Sequence, residues 1–410
     1  MKKVMFVCAM LVAGSAAFAQ KYAVIDANSK LTEACSSNNK NGIDYKKVAS
    51  AWEDIQKCME NEKSVDYYDT WKVAAKIRNV LTVKVYNDGQ AGGNLDSLAY
   101  FNGMKDILSY WETYEKCLIT PNEKGKLPMK DDAYKTAHKE AQKEAAPLRM
   151  QMLSAGYAML NSHPTEAMGY LDAYLETFSN PLFKELDLEK NDSLKYNAYL
   201  YYGMALKGQA KTYEDTLQYL SWYEKVLETK NYGNYACVEL MNTYKTHGDM
   251  TNWEKYCRYA IDHYEDTQFP KLLIQEYVRT KKVDEAKAMC DKMAAKYPKE
   301  VFPVETKALL TFNDKKYTEA VDMFKKLTEI DPTYGRAWCS LGTCYYQLAM
   351  ENRNKIDTCK GYLNQAIPCY KKAEECESGD SSLWGEQLYR CYHALSDKTN
   401  EAKYKKYVNN

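Results

Sequence analysis

The stretch FPVETKALLTFNDKKYTEAVDMFKKLTEIDPTYGRAWCSLGTCYY, residues Phe302–Tyr346, decides the fold. It holds two apolar patterns of helical spacing, a polar turn between them, a proline stop, and then the first pattern again. The residues upstream repeat it. Ala286 precedes Ala320 by 34 residues, and Pro298 precedes Pro332 by the same 34. The turn Lys281-Lys282-Val283-Asp284-Glu285-Ala286 returns as Lys315-Lys316-Tyr317-Thr318-Glu319-Ala320. A period of this length, with one helix–turn–helix per copy, points to a row of stacked hairpins rather than one layered core.

The residue types fit that geometry. Two antiparallel helices approach closely only where side chains are small. Gly342 meets the need on a first helix, and Ala286, Ala320 and Ala373 meet it on second helices. Trp338, Leu341, Tyr345, Phe324 and Tyr370 stand at helical spacing around them and are large enough to fill the seam. Pro298 and Pro332 lack an amide hydrogen and restrict the residue before them, so each second helix is expected to stop there.

The run Trp338-x-x-Leu341-Gly342-x-x-Tyr345, with Ala366, Tyr370 and Ala373 after it, resembles the tetratricopeptide repeat family, and in particular its exported members from Gram-negative bacteria. The resemblance covers residues 148–410 and is weaker over 45–147. It implies an all-α fold: an α-solenoid of stacked antiparallel helix hairpins wound as a right-handed superhelix. First helices would line the concave face and second helices the convex one. It also implies a protein or peptide partner held without turnover.

Four segments are expected along the chain. Residues 1–19 read as a signal peptide: Lys2 and Lys3 form the basic start, Val4 to Ala17 the apolar run, and Ala17-Phe18-Ala19 the cleavage box. The apolar run is shorter than the roughly 20 residues of a membrane span, and no later stretch is apolar enough for one. Export to the periplasm, or secretion, after cleavage near Ala19 is the expectation. Residues 20–44 are polar and are expected to be loosely ordered. Residues 45–147 form an irregular helical region with a turn-rich connector at 86–96. Residues 148–410 carry the repeats, with about twelve extra residues near 349–360, as a lengthened hairpin or a loop. Ala402 to Asn410 reads as a charged capping segment.

Composition narrows the function classes. Lys plus Arg and Asp plus Glu are equal at 56 each, and removal of 1–19 takes Lys2 and Lys3 with it, leaving −2. That balance offers no electrostatic footprint for nucleic acid or an anionic membrane. Tyrosine is abundant, at 37 residues, which slightly favours a glycan-capture protein. Cys237 and Cys257 occupy facing helices of one hairpin, and Cys339 with Cys369 repeats the idea. Either pair could bridge in an exported protein, or all could be buried thiols.

The five histidines form no H-E-x-x-H pair, and there is no G-x-S-x-G, G-x-x-x-x-G-K-[ST] or G-x-G-x-x-G run. No C-x-x-C pair suggests zinc. We therefore expect no catalytic residue, no cofactor and no metal. The candidate partner-binding residues lie on first helices: Lys271 and Arg279, then Phe302 and Phe312, then Arg336 and Tyr346, then Tyr389. Phe302, Phe312, Tyr346 and Tyr389 either floor a groove or cover one another. Gly342, Ala320, Ala286, Trp338, Pro332 and Pro298 are read as structural. The family's carboxylate clamp is incomplete here: Lys271 and Gln275 stand at two of its positions, but Thr306 and Ser340 follow in the next two repeats. A glycan-capture protein similar to starch-binding outer-membrane proteins is the alternative, and an enzyme with a site in 20–147 a third.

Overall fold

The computed structural model describes residues 21–408 apart from 38, 40, 41 and 63, so the expected signal peptide lies outside the described residues. Every regular element among the described residues is helical. The described residues are all-α and are built from tetratricopeptide-type helix hairpins. The chain divides into two compact units between Ala236 and Cys237.

In the first unit, α1 (21–34), α2 (Tyr45–Met59) and α3 (Tyr68–Gly92) share one core. The expectation of a loose 20–44 segment is corrected here. Val24, Ala27, Leu31 and Ala34 recur at helical spacing and are all buried, so 21–34 folds as a helix despite its polar composition. Asp44 caps α2 by accepting from the amides of Lys46 and Lys47. The connector expected over 86–96 is also corrected: α3 runs through Tyr86 to Gly92, and only residues 93–96 separate it from α4 (Ser97–Ile119).

Next, α5 (Asp131–Met159) is one helix of 29 residues with Pro147 inside it. The boundary expected between 147 and 148 therefore falls within a continuous helix. α6 (Pro164–Glu176), a 3-10 turn at Pro181–Leu186, α7 (Leu188–Asn191), α8 (Lys195–Gln209) and α9 (Tyr213–Glu224) complete the unit. The buried Arg149 ties this part together. Its Nε donates to Thr177 Oγ1 at 2.7 Å and its Nη2 to Asp192 Oδ2 at 2.9 Å, while its guanidinium carbon lies 4.9 Å from the Tyr174 ring centroid.

The division between units falls inside α10 (Gly233–Thr246). The second unit continues with α11 (Met250–His263), α12 (Gln268–Arg279), α13 (Val283–Lys296), α14 (Val301–Asn313), α15 (Tyr317–Ile330), α16 (Gly335–Glu351), α17 (Ile356–Cys376), α18 (Gly385–Ala394) and α19 (Lys398–Tyr404). From α11 on, each helix packs on the next. The period expected from Ala286, Ala320, Pro298 and Pro332 is met: Ala286 and Ala320 are fully buried, and α13 and α15 end two residues before their prolines. The extra residues near 349–360 lengthen the hairpin rather than form a loop, since α16 has 17 residues and α17 has 21, against 13 and 14 in α14 and α15.

A shared turn joins first to second helix in four hairpins. Gly248, Lys281, Lys315 and Ser396 each adopt a left-handed backbone, with φ of 76°, 60°, 63° and 57°. The next amide in each case reaches back to the carbonyl five residues earlier: Asp249 to Tyr244, Lys282 to Tyr277, Lys316 to Thr311 and Asp397 to Tyr392, at 2.8–3.2 Å. That bond satisfies a carbonyl the helix end leaves open.

The C-terminal segment corrects another expectation. It is charged but not without anchors. Tyr404 is buried, stacks on Tyr392 with ring centroids 5.7 Å apart and donates to Glu374 at 3.0 Å. Tyr407 meets Trp384 edge-on at 4.8 Å.

The cysteine pairs expected as possible bridges are free thiols. Cys237 Sγ lies 3.3 Å from the Tyr256 carbonyl and Cys257 Sγ 3.4 Å from that of Phe269, so each donates to backbone instead. Cys339 is free as well, and Cys369 donates to the Gln365 carbonyl at 3.3 Å.

Candidate functional site

After α10, the first helices of the second unit are α12, α14, α16 and α18, and these four carry every predicted partner-binding residue. Two of the cations are already engaged. Lys271 Nζ sits 2.8 Å from Glu300 Oε2, and Arg279 Nε donates to Glu276 Oε2 at 2.9 Å. The Arg279 guanidinium holds the Glu276 carboxyl below its usual range. Lys271 is thus committed to its own chain, a further departure from the clamp. Arg336 is exposed.

The aromatic residues are half-buried. Phe312 leans on Tyr317 with ring centroids 5.1 Å apart, and Tyr389 stacks on His393 at 5.9 Å. Phe312, Tyr346 and Tyr389 all rest on the same core, built from Phe324, Leu341, Tyr370 and Leu388, and leave an edge to solvent. Phe302 is half-buried at the start of α14. The face is therefore partly covered by itself.

Two aliphatic residues complete it. Leu309 on α14 is 43% exposed and Val278 at the end of α12 is 39% exposed. Val278 was missed by sequence reasoning, although it stands 34 residues before Phe312 and so shares its place in the repeat. Exposed aliphatic side chains in line with half-buried aromatics give an apolar strip on which another chain can lose water-exposed surface.

The structural residues are where the pattern puts them. Trp338 is half-buried, and its Nε1 donates to the Pro332 carbonyl at 3.0 Å, closing the turn between two hairpins. Gly342 lies against the Tyr370 ring.

A hollow of the second unit was not foreseen. It lies on the other side, between α15, α16 and α17, with a volume of about 490 Å³. Trp338, Leu341, Tyr345 and Pro368 line it, with Lys325 and Gln365 among its polar groups. A hollow of about 410 Å³ opens in the first unit, where Tyr196, Asn197, Thr229 and Tyr232 converge. Asn197 Nδ2 donates there to the Tyr232 hydroxyl at 2.7 Å.

The irregular N-terminal region holds buried ionisable groups, besides two smaller hollows, one beside Asp26, Lys30 and Asp54 and one beside Tyr67, Asp69 and Lys72. Glu115 is fully buried on α4, accepts from the Tyr134 hydroxyl at 2.7 Å and lies 3.0 Å from His138 Nδ1. The ring orientation leaves neither His138 nitrogen a well-aligned hydrogen bond, and Glu115 Oε2 has none. One turn earlier, burial and the neighbouring Glu176 push the Glu112 carboxyl from about 4.5 up to about 7. No group of three or more His, Cys, Asp or Glu among the described residues is placed to hold a metal ion. No described helix is long and apolar enough to cross a membrane.

The chain matches no family model and no curated protein. Among solved structures it is similar to the C-terminal part of a TPR repeat-containing protein from Cytophaga hutchinsonii, at 14% identity, over 62% of this chain and 93% of that one, with a TM-score of 0.38. It is similar to YrrB, described as a TPR protein with an unusual peptide-binding site, at 17% identity, over 53% of this chain and 97% of that one, with a TM-score of 0.31. Yeast Tom70 is a third, at 14% identity, over 89% and 67%, with a TM-score of 0.32. Likeness at this level concerns the fold alone.

Proposed function

We propose that this chain is an exported, periplasmic scaffold that holds a protein or peptide partner on the first-helix face of its second unit, without turnover of its own. The observation that carries the reading is the apolar strip of Val278, Leu309, Phe302 and Phe312, exposed or half-exposed along consecutive first helices. Lys271 and Arg279 are each paired within the chain, so of the predicted cations only Arg336 is left to add to a recognition carried chiefly by apolar contact. The leader-like residues 1–19 support export.

The test replaces Phe312 and Tyr346 together by Ala. Partner capture weakens at least about tenfold while the helical circular-dichroism signal stays unchanged. Capture that survives both changes overturns the assignment. Export is checked on the protein recovered from its native envelope: its N-terminus is Gln20, and a chain that still starts at Met1 contradicts the reading.

A second reading rests on the first unit. The hollow at Tyr196, Asn197 and Tyr232 presents phenol, amide and hydroxyl groups beside Glu228 and Lys230, donors and acceptors that a polyhydroxylated ligand such as a glycan can meet. Binding on a glycan array that Asn197→Ala abolishes, with no polypeptide captured, favours it over the scaffold.

A further inference from the structure

Helix α5 is held differently on the two sides of Pro147. After the proline, Arg149, Met152, Leu153 and Met159 are buried, and Arg149 is tied to Thr177 and Asp192. Before it, the buried apolar residues are Ala137, Ala141 and Ala145, whose side chains bury little surface. Pro147 is exposed and has no N–H to give the ladder, so it is the place where α5 bends at least cost. At the other end, residues 120–130 are exposed apart from Met129. Residues 131–146 are thus a half-helix with a hinge behind it and a loop before it, and polar contacts decide how firmly it sits.

Those contacts are rich in carboxyl groups. Glu115 of α4 is fully buried, accepts from Tyr134 and lies beside His138, itself buried. Glu115 Oε2 and, one turn earlier, Glu112 Oε1 are buried without a hydrogen-bond partner. Glu176 of α6 faces Glu112, and Glu185 of the 3-10 turn faces Tyr134. Among the described residues, no Lys or Arg forms an ion pair with any of these four carboxyls. From the α3 side, Asp69 and the Lys72–Glu140 pair, at 2.6 Å, gather near the Tyr114 phenol. Gln142 Nε2 donates to the Leu182 carbonyl at 3.0 Å and completes the attachment.

The charges fix the direction of the effect. With one proton between them, Glu115 and His138 carry no net charge. Without it, a carboxylate is left in the core with a phenol as its donor, which burial penalises. Glu112 acts with the same sign. Its carboxyl is held up at about 7 against about 4.5 in water, so closure is favoured while it is protonated and weakens as pH rises from about 4.5 to about 7.

We propose that residues 131–146 are a flap, held closed on α4 by the protons kept among Glu112, Glu115 and His138 and released about Pro147 when those protons leave. Release frees one continuous arm, 120–146, while the rest of α5 stays anchored through Arg149. The device is independent of what the second unit binds.

Hydrogen exchange of the full-length protein, read by mass spectrometry at about pH 5.5 and about pH 8.5 and divided by the intrinsic rate at each pH, compares 131–146 with 148–159 of the same helix. Protection of 131–146 is expected to fall about tenfold between the two conditions, with 148–159 unchanged. In Glu112→Gln with Glu115→Gln the fall disappears, because neither amide needs a proton to stay buried. Glu112→Gln alone, at the less buried of the two positions, reduces the fall and keeps the test open should the double variant not fold. Glu140→Gln removes the tie to Lys72 and lowers protection of 131–146 at both pH values by the same factor. Halves of α5 that lose protection together overturn the flap. So does a fall that persists in the Glu112 and Glu115 variants, or one that Glu140→Gln abolishes.

Discussion

The ring of Tyr370 lies so close to Gly342 that a methyl group at Gly342 would come within 2.9 Å of a ring carbon. Tyr370 is fully buried and donates to Thr343 Oγ1 at 3.2 Å, so the ring has no room to retreat. The repeat register shows a trade in size along this seam. Ile274 and Cys290 occupy the corresponding places two hairpins back, and Ala308 and Phe324 those one hairpin back. As the second-helix residue grows from Cys to Phe to Tyr, the first-helix residue shrinks from Ile to Ala to Gly.

Gly342→Ala is therefore expected to destabilise the protein by about 1–3 kcal/mol, against the gain that Gly→Ala gives in an open helix. Urea unfolding of the single variant, and of Gly342→Ala with Tyr370→Leu, checks it. The double variant recovers part of the loss if the ring is the obstacle. A neutral or stabilising Gly342→Ala contradicts the packing.

The turn residues make the opposite prediction. Lys281 and Lys315 hold left-handed backbones that L side chains adopt at a cost, whereas the same turn uses glycine at 248. Lys281→Gly and Lys315→Gly are each expected to be neutral or stabilising, by up to about 1 kcal/mol, and Gly248→Ala destabilising by a similar amount. Thermal melts of the three variants decide it.

Glu112 sets a pH dependence. Its carboxyl is held up at about 7 by burial and by Glu176, and its Oε1 has no hydrogen-bond partner. The folded state then keeps a proton that the unfolded state gives up above about 4.5, so this group's contribution to stability falls as pH rises from about 4.5 to about 7. Glu112→Gln removes the loss. The variant should exceed the parent by on the order of 2 kcal/mol at pH 8 and match it near pH 4.5. Chemical denaturation at the two pH values reads the difference, and an equal gain at both contradicts the assignment.

The thiols give a prediction that separates this fold from a bridged one. Burial pushes Cys237, Cys257, Cys290, Cys344 and Cys391 up to about 12, and among the described cysteines Cys35 alone is exposed. Among the described residues, the native protein should be alkylated first at Cys35 and at the buried sites only on unfolding. Added reductant should leave Tm unchanged. A fall of several degrees with reductant would mean that a bridge had formed.

Much of the second unit was legible because its signal is a period. Ala286, Ala320, Pro298 and Pro332 mark the same register, and a repeat fixes helix ends better than propensity does. The first unit was less legible for reasons that particular residues show. Helix α1 buries Ala27 and Ala34, and small side chains among Asn and Ser give a faint stripe. Gly89 and Gly92 read as a turn, yet Gly89 is buried inside α3 because Leu95 crosses it, so close that a Cβ would meet the Leu95 Cα at 2.6 Å. Pro147 read as a boundary but sits within α5. The first-helix face was found from spacing. How far Phe312 and Tyr389 cover themselves depends on Tyr317 and His393, whose approach spacing does not give. The hollow at Trp338 and Pro368 needs three helices in place before it exists.

The most direct measurement of the central claim is site-specific photo-crosslinking in the native envelope. A photoreactive phenylalanine analogue replaces Leu309 on the first-helix face and, in a separate protein, Glu285 on the outer surface of α13. The account predicts one discrete adduct from position 309, absent from position 285 and lost when Phe302 and Phe312 are both changed to Ala. The same adducts from both positions, or an adduct at 309 that survives the loss of both phenylalanines, would contradict it.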